Sequence, residues 1–124
     1  VDQARDDGAT PLFVAGQMGH LECIQLLLEA GAAVNQVKNS GATPLYMACQ
    51  NGRLECVQLL LEARAAVNQA EENGTTPLFI ACQNGHLEIV RLLIEAGAAV
   101  GQAADGGFTP LHIASQQGHV EIVR

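Results

Sequence analysis

Basic residues are scarce: Lys and Arg number 6 against 13 Asp and Glu, which gives the 124-residue chain a formal charge of -7. Lys38, Arg5, Arg53, Arg64, Arg91 and Arg124 are scattered and form no basic stripe to displace phosphate counterions, which argues against nucleic acid and anionic membrane as partners. Long apolar runs are missing too. No stretch approaches the roughly 20 residues that a transmembrane helix needs. The opening residues lack the charged and apolar regions of an export signal, although a chain beginning at Val1 leaves room for one removed earlier. Neither a P-loop, G-x-S-x-G, H-E-x-x-H, a dinucleotide G-x-G-x-x-G nor a C-x-x-C pair occurs, so no enzyme signature is present and no cofactor or metal is expected. Charge is low overall, at 15%, while hydrophobic residues reach 48%, which excludes a solvated disordered tail and calls for one domain with a buried core.

What the chain does have is repetition. Thr-Pro occurs at Thr10-Pro11, Thr43-Pro44, Thr76-Pro77 and Thr109-Pro110, each pair 33 residues after the last. Residues 36–68 and 69–101 agree at 20 of 33 aligned positions. A fixed period of this size, without insertions, marks a stack of supersecondary units.

The local chemistry of one unit predicts its shape. Gly8, Gly41, Gly74 and Gly107 each stand two residues before the Thr, where a tight turn uses positive φ. The Thr hydroxyl caps a helix and Pro suits its first turn, so a short helix begins at Pro11 and its equivalents. It should stop at Gly19, Gly52, Gly85 and Gly118 in the left-handed conformation. A second helix follows, with Leu21, Ile24, Leu27 and Leu28 on one stripe and Gly31 after its last turn. A helix pair this small cannot bury its apolar faces alone and must pack on its neighbours, with Ala15, Ala48, Ala81 and Ala114 allowing close approach.

The strings GATPLFVAGQMGHLECIQLLLEAGAAVN, GTTPLFIACQNGHLEIVRLLIEAGAAV and GFTPLHIASQQGHVEIVR resemble ankyrin repeats, and the resemblance covers essentially the whole chain. It implies an all-α solenoid of stacked turn-helix-turn-helix units, a single domain over residues 1–124 with repeats at about 3–35, 36–68, 69–101 and 102–124. It also implies a protein-protein interaction module, not an enzyme, that binds a protein partner through turn tips and first helices along a concave face. On that face the varying turn residues are Asp6, Asp7, Asn39, Ser40, Glu72, Asn73, Thr75 and Asp105. The first helices add Gln17, Met18, Gln50, Asn51, Gln83, Asn84, Gln116 and Gln117. Carboxylates at the tips and amides on the helices suit a polar to mildly basic partner surface.

The sequence departs from the family pattern in several places. The histidine of the TPLH motif survives as His112, while Phe13, Tyr46 and Phe79 hold that position in the first three repeats and Phe108 precedes the fourth Thr-Pro. These aromatics are either anchors for a partner or a buried ladder between units. Arg64 replaces the glycine found at Gly31 and Gly97, at a cost of roughly 1 kcal/mol if it takes the left-handed conformation; the alternative is a binding contact. The chain opens at the tail of a repeat and stops inside a second helix, and neither end has the polar outer face of a capping unit. Either this is a window of a longer array, or an engineered or fragmentary scaffold whose uncapped ends stack on one another.

Cys23 and Cys56 align with Ile89 and Ile122, and Cys49 and Cys82 with Gly16 and Ser115, so all four are expected to be buried free thiols of an intracellular, cytoplasmic protein. His20, His86 and His119 recur after glycine, with Arg53 once in their place, which disfavours a metal or catalytic role. Glu22, Glu55, Glu88 and Glu121 form a solvated row at the positive ends of the second helices. Asn35 and Asn68 resemble the loop asparagines hydroxylated in intracellular ankyrin arrays, and Asn73-Gly74-Thr75 matches the glycosylation sequon by chance.

Overall fold

The computed structural model describes residues 10–32, 34–35, 42–70, 74–98, 101–102, 104 and 106–116, and among them every regular element is helical. The order is α1 (Pro11–Met18), α2 (Leu21–Glu29), α3 (Pro44–Gln50), α4 (Leu54–Glu62), α5 (Pro77–Gln83), α6 (Leu87–Glu95) and α7 (Pro110–Gln116). Three short-long pairs and the first helix of a fourth therefore follow one another at the sequence period.

Each first helix starts where the Thr-Pro pair predicts. Thr10, Thr43 and Thr76 are extended, and their hydroxyls accept the amides of Phe13, Tyr46 and Phe79 at 3.1 to 3.2 Å. Thr109 does the same for the His112 amide at 3.2 Å, and the His112 ring returns the favour by accepting the Thr109 amide through Nδ1. The reciprocal bonds close a capping box in which imidazole stands where a carboxylate or amide is usual. The first three of these helices end as the glycine predicts: Gly19, Gly52 and Gly85 take φ of 76°, 69° and 72°, and the next amides reach back to the carbonyls of Ala15, Ala48 and Ala81, while Gly118 lies outside the described residues.

The second helices close by the same left-handed device. Ala32 N–H bonds to the Leu27 carbonyl at 3.0 Å and Gly31 N–H to that of Leu28 at 3.1 Å, the Schellman pattern, and the turns after α4 and α6 repeat it. After α4 the left-handed residue is Arg64, at φ 66° the one non-glycine with positive φ among the described residues.

The helices stack in two layers. First helices pack on first helices, α1 on α3, α3 on α5 and α5 on α7, while α2 packs on α4 and α4 on α6. Leu12, Phe13, Leu45 and Leu78 from the first layer meet Ile24, Val57, Leu60, Val90 and Leu93 from the second in one continuous core. Small residues set the spacing: a Cβ on Gly16 would sit 3.1 Å from the Pro44 carbonyl oxygen, so α1 and α3 touch backbone to backbone there.

Candidate protein-binding face

Packing decides the aromatic row against the partner-anchor reading. Phe13, Tyr46 and Phe79 are 1%, 4% and 7% exposed and belong to the core, so their rings cannot offer surface to a partner. Their first-turn position on α1, α3 and α5 directs them between layers, where large rings bury the most apolar area. Tyr46 also keeps its hydroxyl satisfied, 3.0 Å from the hydroxyl of Thr75 in the following pair. Thr75 is thereby buried as well, which corrects its assignment as a turn-tip contact. Phe108 is the exception. It is 48% exposed and stands edge-on to His112, ring centroids 6.5 Å apart.

The amides divide into two rows with different work. Asn51 Nδ2 donates to the Gln17 carbonyl at 2.8 Å, and Asn84 Nδ2 donates to the Gln50 carbonyl at 3.0 Å. These carbonyls lie at the C-terminal ends of α1 and α3, where intrahelical donors have run out. Both asparagines, though exposed, therefore tie one helix pair to the pair before it. Met18 holds the same register position in the first pair and is 54% exposed. The glutamines stand one residue earlier: Gln17, Gln50 and Gln83 are half-buried and Gln116 is exposed, one per first helix at the same register. The remaining assigned positions, Asp6, Asp7, Asn39, Ser40, Glu72, Asn73, Asp105 and Gln117, lie outside the described residues.

A tie that single-residue reasoning missed runs beside the asparagines. The His86 ring covers Gly52, so close that a Cβ there would lie 2.8 Å from Cε1, and Arg53 covers Gly19 in the same way. Nε2 of His86 is 3.3 Å from the Gln50 carbonyl; since a carbonyl only accepts, this bond selects the ring protonated at Nε2. The signal was present in the sequence, because glycine and the following basic residue recur together. The glycine of one pair makes room for the basic side chain of the next.

Elsewhere among the described residues a row of carboxylates lines the second helices. Glu22, Glu55 and Glu88 are exposed in the first turns of α2, α4 and α6, as expected of a solvated row at helix N-termini. Arg91 pairs with Glu88 at 3.0 Å with both side chains open to water, which contributes little. Among the described residues no group of three or more His, Cys, Asp and Glu side chains is placed to hold a metal ion. Cys49, Cys56 and Cys82 are buried free thiols, and burial raises all three above the ordinary value of 9.0, Cys82 to about 11. Cys23 departs from expectation: it is exposed, because in its register Cys56 and Ile89 are covered by the preceding pair, and no described helix precedes α1. No helix among the described residues is long and apolar enough to cross a membrane.

Comparison with known proteins agrees with this architecture. A 34-residue stretch is 56% identical to a probable E3 ubiquitin-protein ligase, XBOS32, of Oryza sativa subsp. japonica, covering 27% of this chain and 7% of the ligase. A stretch of 34 residues is 53% identical to the E3 ubiquitin-protein ligase XBAT32 of Arabidopsis thaliana, with the same coverage of 27% and 7%. Each match is about one structural period long and spans a small part of its relative, so what is shared is the helix-pair unit. The family profile described as ankyrin repeats in three copies matches residues 1–71 and 63–124. With that match over both halves, and with helix pairs stacked at a constant period, the chain belongs to the ankyrin-repeat family.

Proposed function

We propose that the 124-residue chain is a single protein-binding domain, with repeats at about 3–35, 36–68, 69–101 and 102–124, that holds its partner along the outward edge of the first helices. The observation that carries this reading is the glutamine row: Gln17, Gln50, Gln83 and Gln116 stand at one register on four successive helices, with the Asn51 and Asn84 ties fixing their helix ends. Amides carried at one register on packed helices have their backbone already fixed, so less freedom is lost when they bind. Met18 and Phe108 add exposed apolar area beside it, and the turn residues Asp6, Asp7, Asn39, Ser40, Glu72, Asn73 and Asp105 extend it with polar and acidic groups. The partner is a protein with a polar to mildly basic surface, neither nucleic acid nor membrane, which suits the formal charge of -7. Free thiols support an intracellular, cytoplasmic setting. The family is a non-catalytic interaction fold, and the short matches to ubiquitin ligases fit a role as the binding arm of a larger enzyme.

Proteins captured from an extract of the source organism test the face. Replacing Gln50, Gln83 and Gln116 together by lysine should lower the affinity of a captured partner at least about tenfold by repelling a mildly basic surface. The helical circular dichroism should stay unchanged. Replacing Glu29, Glu62 and Glu95 on the second helices should leave that partner bound. The reverse pattern would assign binding to the other layer.

A further inference from the structure

Asparagine followed by glycine is a dipeptide prone to losing its side-chain amide, because glycine has no Cβ to hinder the approach of its own nitrogen. That nitrogen gives its proton to a solvent base and attacks Cγ of the asparagine, and the Cγ–Nδ2 bond breaks to release ammonia. Water then opens the resulting five-membered imide to an aspartyl or isoaspartyl residue, so that amide and water have become carboxylate and ammonium. The chain has three such pairs, Asn51-Gly52, Asn73-Gly74 and Asn84-Gly85. Asn73 lies outside the described residues.

Asn51 and Asn84 are exposed, so water reaches them. What prevents the ring from closing is the backbone. With ψ of 6° and 0°, each asparagine eclipses the glycine nitrogen with its own amide nitrogen, roughly a third of a turn about Cα–C from the side chain that the nitrogen must reach. Turning the peptide towards Cγ would break the bonds from the Gly52 and Gly85 amides to the Cys49 and Cys82 carbonyls, at 3.4 and 3.3 Å. The side chains are held as well, through Nδ2 on the Gln17 and Gln50 carbonyls at 2.8 and 3.0 Å. At Asn51-Gly52 two of the restraints come from neighbouring pairs, the Gln17 carbonyl from the one before and the His86 ring against Gly52 from the one after.

The product cannot do the work of the amide. A carboxylate at position 51 or 84 has no proton to give the Gln17 or Gln50 carbonyl. It also places negative charge beside the negative ends of two helices, α1 and α3 in one case and α3 and α5 in the other. We propose that Asn51 and Asn84 are latent deamidation sites that register opening of the stack: docked helix pairs shield them, opening frees them for ring closure, and the acid formed ties the pair less firmly. The change is irreversible, since the ammonia is lost to solvent.

Peptide mapping by mass spectrometry after timed incubation at mildly alkaline pH tests the proposal, with the folded chain and the chain in denaturing urea side by side. Both sites should convert in urea, and at least about tenfold more slowly in the fold. Urea below the unfolding midpoint should speed both in step with the population of opened molecules. Equal rates in the two states would overturn the shielding, and no conversion in urea would overturn the sites themselves. The consequence is read on Asn51→Asp and Asn84→Asp, two exposed positions at which the helical circular dichroism of the parent should persist. Each variant should unfold at lower urea than the parent. An unchanged midpoint would mean that the acid serves as well as the amide, and that deamidation leaves the stack as firm as before.

Discussion

Arg64 occupies backbone that Gly31 and Gly97 fill at the equivalent turns, at φ 66° against 86° and 93°. A Cβ in this region crowds the following carbonyl, at about 1–2 kcal/mol. The side chain is exposed, so Arg64→Gly relieves the strain without opening a cavity. The expected gain is about 1 kcal/mol, or roughly 4 °C in Tm, read by thermal unfolding. A lower Tm would show that the guanidinium makes a stabilising contact that outweighs the strain. The thiols supply a second residue-scale prediction. Cys23 is open to solvent while Cys49, Cys56 and Cys82 are buried with raised pKa. A disulfide reagent at neutral pH should modify one thiol quickly and the other three only as the protein opens. The same burial makes stability depend on alkaline pH. The Cys82 thiol stays protonated in the fold to about pH 11, whereas an unfolded thiol ionises near 9.0, so the unfolded state binds fewer protons between these values. Stability is therefore retained below about pH 9 and declines as pH rises towards 11. Two fast thiols, or a flat alkaline profile, would contradict the buried placement.

At the scale of the element, the unit is bounded by threonine caps at one end and left-handed turns at the other, and both were legible because capping chemistry is local. Gly52 shows where local reasoning stops. Its φ of 69° is reason enough for glycine, yet a second constraint comes from the next pair, whose His86 ring occupies the space of a Cβ. Gly31 isolates the first constraint: its φ is 86°, and nothing lies within 4 Å of a Cβ built on it. Gly31→Ala should therefore cost only the backbone term, about 1–2 kcal/mol, and Gly52→Ala more. His86→Ala in the Gly52→Ala background should recover the excess. Equal losses in urea unfolding for the two alanine variants would mean that the ring moves aside freely. The two asparagines belong to this scale as well. Their repetition identified them as variable helix residues of a binding face, but the carbonyls they satisfy lie 34 residues earlier, beyond any local pattern.

For the whole molecule, the 33-residue period and the spacing of its apolar positions determined a stacked array of helix pairs, because a pair of short amphipathic helices has no other way to bury both faces. Thr-Pro and the turn glycines determined where the first helices begin and end, since they act through hydrogen bonds and φ values a few residues away. Which way each side chain faces across the stack was decided only by the tertiary structure. Phe13, Tyr46 and Phe79 went into the core, Asn51 and Asn84 became ties, and Gln17, Gln50 and Gln83 were left half-buried and Gln116 exposed. Cys23 and Cys56 share a register yet lie on opposite sides of the solvent boundary. The physical reason is that periodic sequence repeats the same local instructions in every unit, while burial depends on having a neighbour on each side, and the units at the two ends of the described stack have only one.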